Sequence, residues 1–494
     1  DADGALQFFG FNREEVAGGF VKLQQPSAAV SAEVSDYFSQ FNYLVLDGHA
    51  AVQADVIYGL HKHFGIRRER VFPVCRFEYC GAAFFQHLYE MCSVGEAHPW
   101  EKPVPSGVDP AAWAAYGWID QHYTHTRRMA ETWAFTNSSD DMMQTFVAGV
   151  AEYLEAFDVI ICTFVAARCA IFEQFFQGRK DKLVVLNLGH SAIHHVTPWP
   201  PNTVSPATPE SRARDAAFSR WFGRQLTADN AIVFAGSPLH GAEVLAAYGT
   251  APFSWPLYGD QVRLPSDPTQ PLLKWKAKDN TKPATVWWWL RAGLERGEVD
   301  VGFKEAAAKS NEVWKMVPNP SYKMETLLTV SMMVIWPYAL HTAKWNEYCA
   351  LGIPMLFPSP RLLATQGNIP HQRLRYVREY NQPVFSPPEP LAGGETDAGC
   401  PNIIPRPANV SVDDAVTAFI ASADFYVYPH IEFDSFAEIP SILDRTVSNR
   451  TELDRLSNEM TAFVEESQRR VAPHMRAALA SKLHHVPPRG NQEL

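Results

Sequence analysis

Through the first half of the chain, short uninterrupted apolar runs are each followed by a small-residue loop and then by helical spacing. YLVLDGH (43–49) precedes AAVQADVIYGLHKHFG, FDVIICTF (157–164) precedes VAARCAIFEQFF, KLVVLNLGH spans 182–190, and AIVFAGSPLHG (231–241) precedes AEVLAAYG. Strand alternating with helix predicts an α/β fold around a mostly parallel sheet. Gly65 and Gly249 stand where helix-ending glycines are expected.

From 251 to 283 the chain carries six prolines and little periodicity, which suits a connection between domains. The pattern then resumes with TVWWWL (285–290), LLTVSMMVIWPY (327–338) and IPMLFPS (353–359), and helical spacing returns at Ala415–Ala421. Leu453, Leu456, Met460, Phe463 and Val464 recur at helical spacing within 450–483, so one face of that segment should pack, and it could return to the first domain. The expected division is an N-terminal α/β domain at 1–265, a linker at 266–283, a second α/β domain at 284–445, and a C-terminal helix and tail at 446–494. Residues 379–411 read as a loop or insertion and 484–494 as a frayed end.

At 494 residues the chain exceeds one ordinary core, in keeping with two domains. The net charge of -11 with no basic run argues against nucleic acid as the main partner, because phosphate binding needs clustered Lys and Arg. No stretch reaches the roughly 18 uncharged apolar residues that span a bilayer. The first residue is Asp1, so a signal, anchor or tag could have been removed. Asn-x-Ser/Thr acceptors at Asn137, Asn409 and Asn449 permit a secretory address. Of the seven cysteines, Cys162, Cys169 and Cys349 lie in apolar runs and are expected as buried thiols. Cys75, Cys80 and Cys92 are close enough for one disulfide in an oxidising compartment. No Cys or His spacing suits zinc.

The segment NEYCALGIPMLFPSP (346–360) sets one carboxylate inside a short helix. Thr342 can cap that helix over Ala343–Leu351, Gly352 ends it, Pro354 prevents its continuation and an apolar strand follows. Glu347, Ala350, Gly352, Pro354 and Ser359 together resemble the C-terminal domain of GT-B glycosyltransferases, where a Glu precedes a small residue, a Gly-x-Pro turn and a strand. Residues 327–360 and 423–443 carry the likeness, the latter resembling the closing segment of some eukaryotic sequences of this kind. The first domain shares only the strand and helix rhythm.

The resemblance implies two Rossmann-like domains facing across a cleft, with Glu347 accepting hydrogen bonds from the ribose of a nucleotide-sugar. A carboxylate suits a vicinal diol, and Gly352 lets backbone approach closely. His341, Thr342 and Lys344 are expected near the diphosphate at the helix N-terminus, and Arg291 as a two-point phosphate clamp. The second acid of the longer motif in some retaining members is missing, so inversion is expected. The base would come from a first-domain loop, either His49, with Asp47 or Asp55 to orient it, or His190, with His194 and His195 nearby. Each of these histidines has a plainer alternative as a loop residue bonded to backbone. The only Asp-x-Asp is Asp1-Ala2-Asp3, so no metal and no cofactor beyond the nucleotide-sugar co-substrate is expected. Asp140-Asp141 and Asp413-Asp414 read as helix starts.

The expected function is glycosyl transfer from a nucleotide-sugar to a hydroxyl of a glycan or glycoprotein, in the secretory pathway or Golgi lumen. Extracellular and cytoplasmic locations are the alternatives. One rival is a non-catalytic GT-B-like glycan-binding or structural protein. Another is a serine hydrolase built on Gly189-His190-Ser191 after a strand, against which stand Ile193, where an elbow needs Gly, and the prolines at 198, 200 and 201.

Overall fold

The computed structural model describes residues 7–10, 31–46, 50–74, 103–135, 141–163, 166–176, 178–189, 209–264, 271–276, 283–289, 297–319, 327–337, 343–365, 411–421 and 423–489. Their apolar runs form two parallel sheets, and the chain divides into two compact units with one sheet each. Described residues 31–257 and 469–489 form one unit, and 7–10 with 258–468 form the other.

The six-stranded sheet contains β1 (Tyr43–Leu46), β2 (Val71–Val74), β3 (Val159–Thr163), β4 (Leu183–Leu188), β5 (Ala231–Ala235) and β6 (Phe253–Ser254), in the order β2-β1-β3-β4-β5-β6. Every pairing is parallel. The first five strands are buried throughout, which is why they read as uninterrupted apolar runs. Because β2 and β3 flank β1 on opposite sides, right-handed crossovers send the helices to opposite faces of the sheet.

Described helices in this unit are α1 (Ala32–Phe38), α2 (Ala50–Phe64), α3 (Pro110–Trp133), α4 (Asp141–Leu154), α5 (Ala170–Phe176), α6 (Pro209–Gln225) and α7 (Pro238–Tyr248). Leu44, Ile160, Leu186 and Val233 pack with Tyr116, Phe146, Phe172 and Phe222 of α3 to α6. On the other face, Phe64 of α2 and Phe234 of β5 both meet Trp255, at 5.2 and 5.1 Å between ring centroids. The left-handed glycines Gly65 and Gly249 end α2 and α7.

Two expectations change here. Cys162 and Cys169 are not separate thiols but a disulfide, with Cα atoms 5.9 Å apart. The 3₁₀ turn Ala166–Cys169 brings Cys169 back beside the end of β3, a reversal that local hydrophobicity does not reveal. Nor is the end of the chain simply frayed: Val486 is buried, and Arg489 donates from Nε to both oxygens of the buried Asp158 at 2.9 Å. Cys75, Cys80 and Cys92 lie outside the described residues.

The five-stranded sheet contains β7 (Ala284–Trp289), β8 (Trp314–Pro318), β9 (Met332–Ile335), β10 (Met355–Pro358) and β11 (Ile431–Phe433), in the order β11-β10-β9-β7-β8, again all parallel. Its helices are α8 (Glu298–Ala307), α9 (Ala343–Leu351), α10 (Pro360–Thr365), α11 (Val412–Ala421), α12 (Ile439–Val447) and α13 (Arg450–Leu483). Adjacent residues of β7 identify the two faces. Trp288 meets Phe303 of α8 at 5.4 Å, and Trp289 meets Trp345 of α9 at 5.0 Å.

Both units are therefore Rossmann-like, and a 34-residue helix follows them. That helix belongs to the five-stranded unit through Gln468 and to the six-stranded unit from Arg469. The five apolar residues expected to pack, Leu453 to Val464, are all buried. Within the stretch expected as a linker, Trp275 is buried in the five-stranded unit, its amide donating to Leu351 O at 2.8 Å and its indole to Val330 O at 2.6 Å.

Candidate functional site in the five-stranded unit

In a doubly wound sheet of this order, the crevice for ligands opens at the carboxyl ends of the two strands whose helices leave to opposite faces. Here those strands are β7 and β9, the first followed by α8 and the second by α9. Arg291 comes two residues after β7, and His341, Thr342 and Lys344 come between the end of β9 and the first turn of α9. Arg291, His341 and Thr342 lie outside the described residues; Lys344 is in α9, and only its backbone is described.

Glu347 lies on α9, half-buried, and its carboxylate accepts from Gln261 Nε2 at 3.4 Å. Gln261 belongs to the 3₁₀ turn Asp260–Arg263, and its Oε1 is buried with no hydrogen-bond partner. The amide nitrogen thus faces the carboxylate, and the amide oxygen is left without a donor. The turn is anchored by Arg263, which donates to Asp260 at 3.2 Å and to Glu465 of α13 at 3.0 Å. Gly259 introduces it at φ 66°, and a Cβ built there would lie 2.4 Å from the amide nitrogen of Glu347. Only a residue without a side chain allows the two backbones this approach.

The rest of α9 is fixed from beneath. Asn346 donates to Asp424 at 3.2 Å, and the other oxygen of Asp424 accepts from the Phe425 amide at 3.0 Å. Cys349 is a buried thiol, as expected, and burial together with the charge of Asp424 pushes its pKa well up, so it is an unreactive packing residue. Gly352 ends α9 at φ 73°, where a Cβ would lie 2.6 Å from Ser457 Oγ and 2.9 Å from Ser457 O of α13. Its need for glycine is thus met by helix packing. Ser359, just after β10, donates to Asp434 at 2.6 Å and accepts from the Leu362 amide at 3.2 Å, capping α10 and tying together the carboxyl ends of β10 and β11.

Of the expected donor-site residues, the described structure brings Glu347, Gly352 and Ser359 into one unit, with Glu347 and Gly352 on and after the same helix. His49, His190 and Ser191 lie outside the described residues; they follow β1 and β4 in the six-stranded unit. Gly259 and Gln261 were missed because the proline-rich stretch around them reads as connection. The available signal was the glycine in LYGDQ, a residue type that marks close backbone approach. Among the described residues, no group of three His, Cys, Asp or Glu side chains is placed to hold a metal ion. Among them, too, no helix is long and apolar enough to cross a membrane.

No protein-family model matches the chain, and no curated protein does. Among solved structures, the glycotransferase of kitacinnamycin is similar at 11% identity and a TM-score of 0.38, over 90% of this chain and 99% of that one. A likeness at that level carries no part of the functional argument.

Proposed function

We propose that this protein is a glycosyltransferase that holds a nucleotide-sugar at the carboxyl edge of its five-stranded sheet and transfers the sugar, with inversion and without a metal, to a hydroxyl of a glycan or glycoprotein. The observation that carries the reading is the pair Glu347 and Gln261: a half-buried carboxylate faced by an amide whose buried oxygen lacks a donor. A vicinal diol supplies two hydroxyl donors, so a ribose would satisfy Gln261 Oε1 and the carboxylate together. The position agrees with this role, since α9 leaves β9 at the switch point of the sheet.

In this reading Arg291, Lys344, His341 and Thr342 meet the diphosphate, where cationic and hydrogen-bonding groups stabilise the charge that develops on the leaving group. A histidine removes the proton from the acceptor hydroxyl as its oxygen bonds to the anomeric carbon and the diphosphate departs. His49 is favoured over His190, because β1 flanks the switch point of the six-stranded sheet and β4 is one strand removed. The Cys162–Cys169 disulfide supports an oxidising compartment such as the secretory lumen, and the exposed Asn449 acceptor is compatible with it.

A second reading, a GT-B-like scaffold without turnover, is favoured by the fact that the Gln261–Glu347 bond also ties the 3₁₀ turn to α9. A thermal-shift panel of UDP, GDP, CMP and their sugar conjugates, followed by transfer assays, separates the two. The transferase reading expects one nucleotide to raise the unfolding temperature and Glu347→Ala to abolish that rise with the fold retained. An unchanged rise in the variant sinks the donor role of Glu347, and nucleotide binding with no transfer favours the scaffold.

A further inference from the structure

Between the last buried residue of α12, Val447, and the first of α13, Leu453, the chain passes through Ser448-Asn449-Arg450-Thr451, four consecutive exposed residues. Asn449 stands immediately before α13. Its Oδ1 accepts from the Glu452 amide at 3.2 Å, so the side chain caps the helix. Its backbone amide donates to Thr446 O at 3.0 Å and closes α12. The cap engages the oxygen of the side-chain amide. In an Asn-x-Thr acceptor the glycan is carried by the nitrogen, and the glycosylated amide keeps its oxygen as a hydrogen-bond acceptor. Cap and glycan therefore use different atoms of one side chain.

We propose that Asn449 carries an N-linked glycan in the folded protein. In the transfer, Nδ2 bonds to the anomeric carbon of an oligosaccharide held on a lipid diphosphate. The bond from that carbon to the phosphate oxygen breaks, the lipid diphosphate leaves, and the nitrogen gives up one proton to the transferring enzyme. The middle position is Arg450 rather than proline, and Thr451 supplies the hydroxyl that the motif needs. α13 runs on to Leu483, so the tripeptide is synthesised before most of the helix that would restrain it, and a lone first turn is unstable. The buried Cys162–Cys169 disulfide belongs to the same chain, and such bonds persist in oxidising compartments, among them the lumen where this modification takes place. After folding, exposure of 448–451 leaves the glycan in solvent, with no apolar surface displaced. Asn137 and Asn409 lie outside the described residues. The inference rests on the oxidising compartment of the reading above and not on its transfer chemistry.

The test uses the full chain isolated from its own cells. Mass spectrometry of proteolytic peptides containing Asn449 is run before and after treatment with a glycan-releasing amidase in heavy-oxygen water, beside a non-reducing map of Cys162 and Cys169. The wild type should show a glycan at Asn449 that the amidase removes, leaving labelled aspartate. Asn449→Asp keeps the cap oxygen and lacks the nitrogen, and Thr451→Ala removes the hydroxyl from an exposed first-turn position. Each, returned to the same cells, should lose the mass of one glycan and unfold at the temperature of the amidase-treated wild type. Thr451→Ser, which retains a hydroxyl, should keep the glycan and so separate loss of the motif from misfolding. A bare Asn449 in the wild type overturns the proposal, as does glycan mapped to Asn137 or Asn409 alone, or a mass that Thr451→Ala leaves unchanged. The cysteine map keeps the failures apart: a bare Asn449 with the disulfide formed counts against this site alone, whereas a bare Asn449 with free thiols also removes the compartment.

Discussion

Gly259 touches the backbone of Glu347 so closely that a methyl group at 259 would lie 2.4 Å from the Glu347 amide nitrogen and 2.6 Å from its Cα. Both obstacles are main-chain atoms of a helix, which cannot rotate aside as a side chain would. The position of the candidate carboxylate is therefore set by a residue 88 positions earlier in the chain.

Gly259→Ala should accordingly be severe. It combines a left-handed backbone, at φ 66°, with an unavoidable clash, and the expected loss is more than about 2 kcal/mol. Thermal unfolding of the variant against Gly249→Ala, where nothing lies within 4 Å of the added Cβ, isolates the steric part. Equal losses at the two positions would show that α9 gives way.

Gln261→Leu separates scaffold from ligand contact. If the amide serves mainly to brace α9, its loss should lower stability by about 1 kcal/mol and leave nucleotide affinity alone. The donor-site reading expects the reverse: little change in stability, because a buried unpaired oxygen is removed, and a several-fold weaker nucleotide. Chemical denaturation and calorimetry on the same variant decide between them.

The disulfide between Cys162 and Cys169 closes a short loop, with a sequence separation of 7, immediately after β3. Restricting so short a loop in the unfolded chain is worth about 2 to 3 kcal/mol. Cys169→Ser should lose that amount in denaturant unfolding, and peptide mapping without reductant should find the pair linked in the wild type. A wild type with both thiols free to alkylation after unfolding would exclude the bond and remove its support for an oxidising compartment.

His61 supplies a pH dependence. Burial depresses its pKa below the ordinary value of 6.5, an effect that its contact with Ile66 O at 2.6 Å only partly opposes. The unfolded chain therefore binds the proton more readily than the folded one. Stability should be fully present above 6.5 and decline as the pH falls from there through the depressed folded value. The variant His61→Gln, which keeps a polar side chain without a titrating ring, should show a flatter pH profile between about 7 and 5 in thermal unfolding. A wild-type profile already flat across that range would refute the assignment.

The α/β class was legible because buried parallel strands leave uninterrupted apolar runs, and those runs became β1, β3, β4, β5, β7, β9 and β10. The limits of α9 were also legible. Its C-terminal stop is written as Gly352 and Pro354, and the helix indeed closes at Leu351. α13 shows its buried stripe in the same direct way. Packing partners left no such trace. Gln261 and Gly259 lie in a stretch that looks like linker, since a close backbone contact is recorded in sequence only as one glycine among many. Cys162 and Cys169 were seen as apolar-run cysteines, which they are, but their bond depends on the chain turning back after β3.

By itself, then, the sequence determined the α/β class and the place of its most regular elements, the seven apolar strands, α9 and α13, because periodicity, caps and proline act within a few residues. Only the tertiary structure decided which strand lies beside which, and hence where the switch points fall, what faces Glu347, and that Gln261 Oε1 is left without a donor. Those outcomes depend on contacts between residues far apart in the chain, and a buried polar atom is satisfied or not only once the fold has chosen its neighbours.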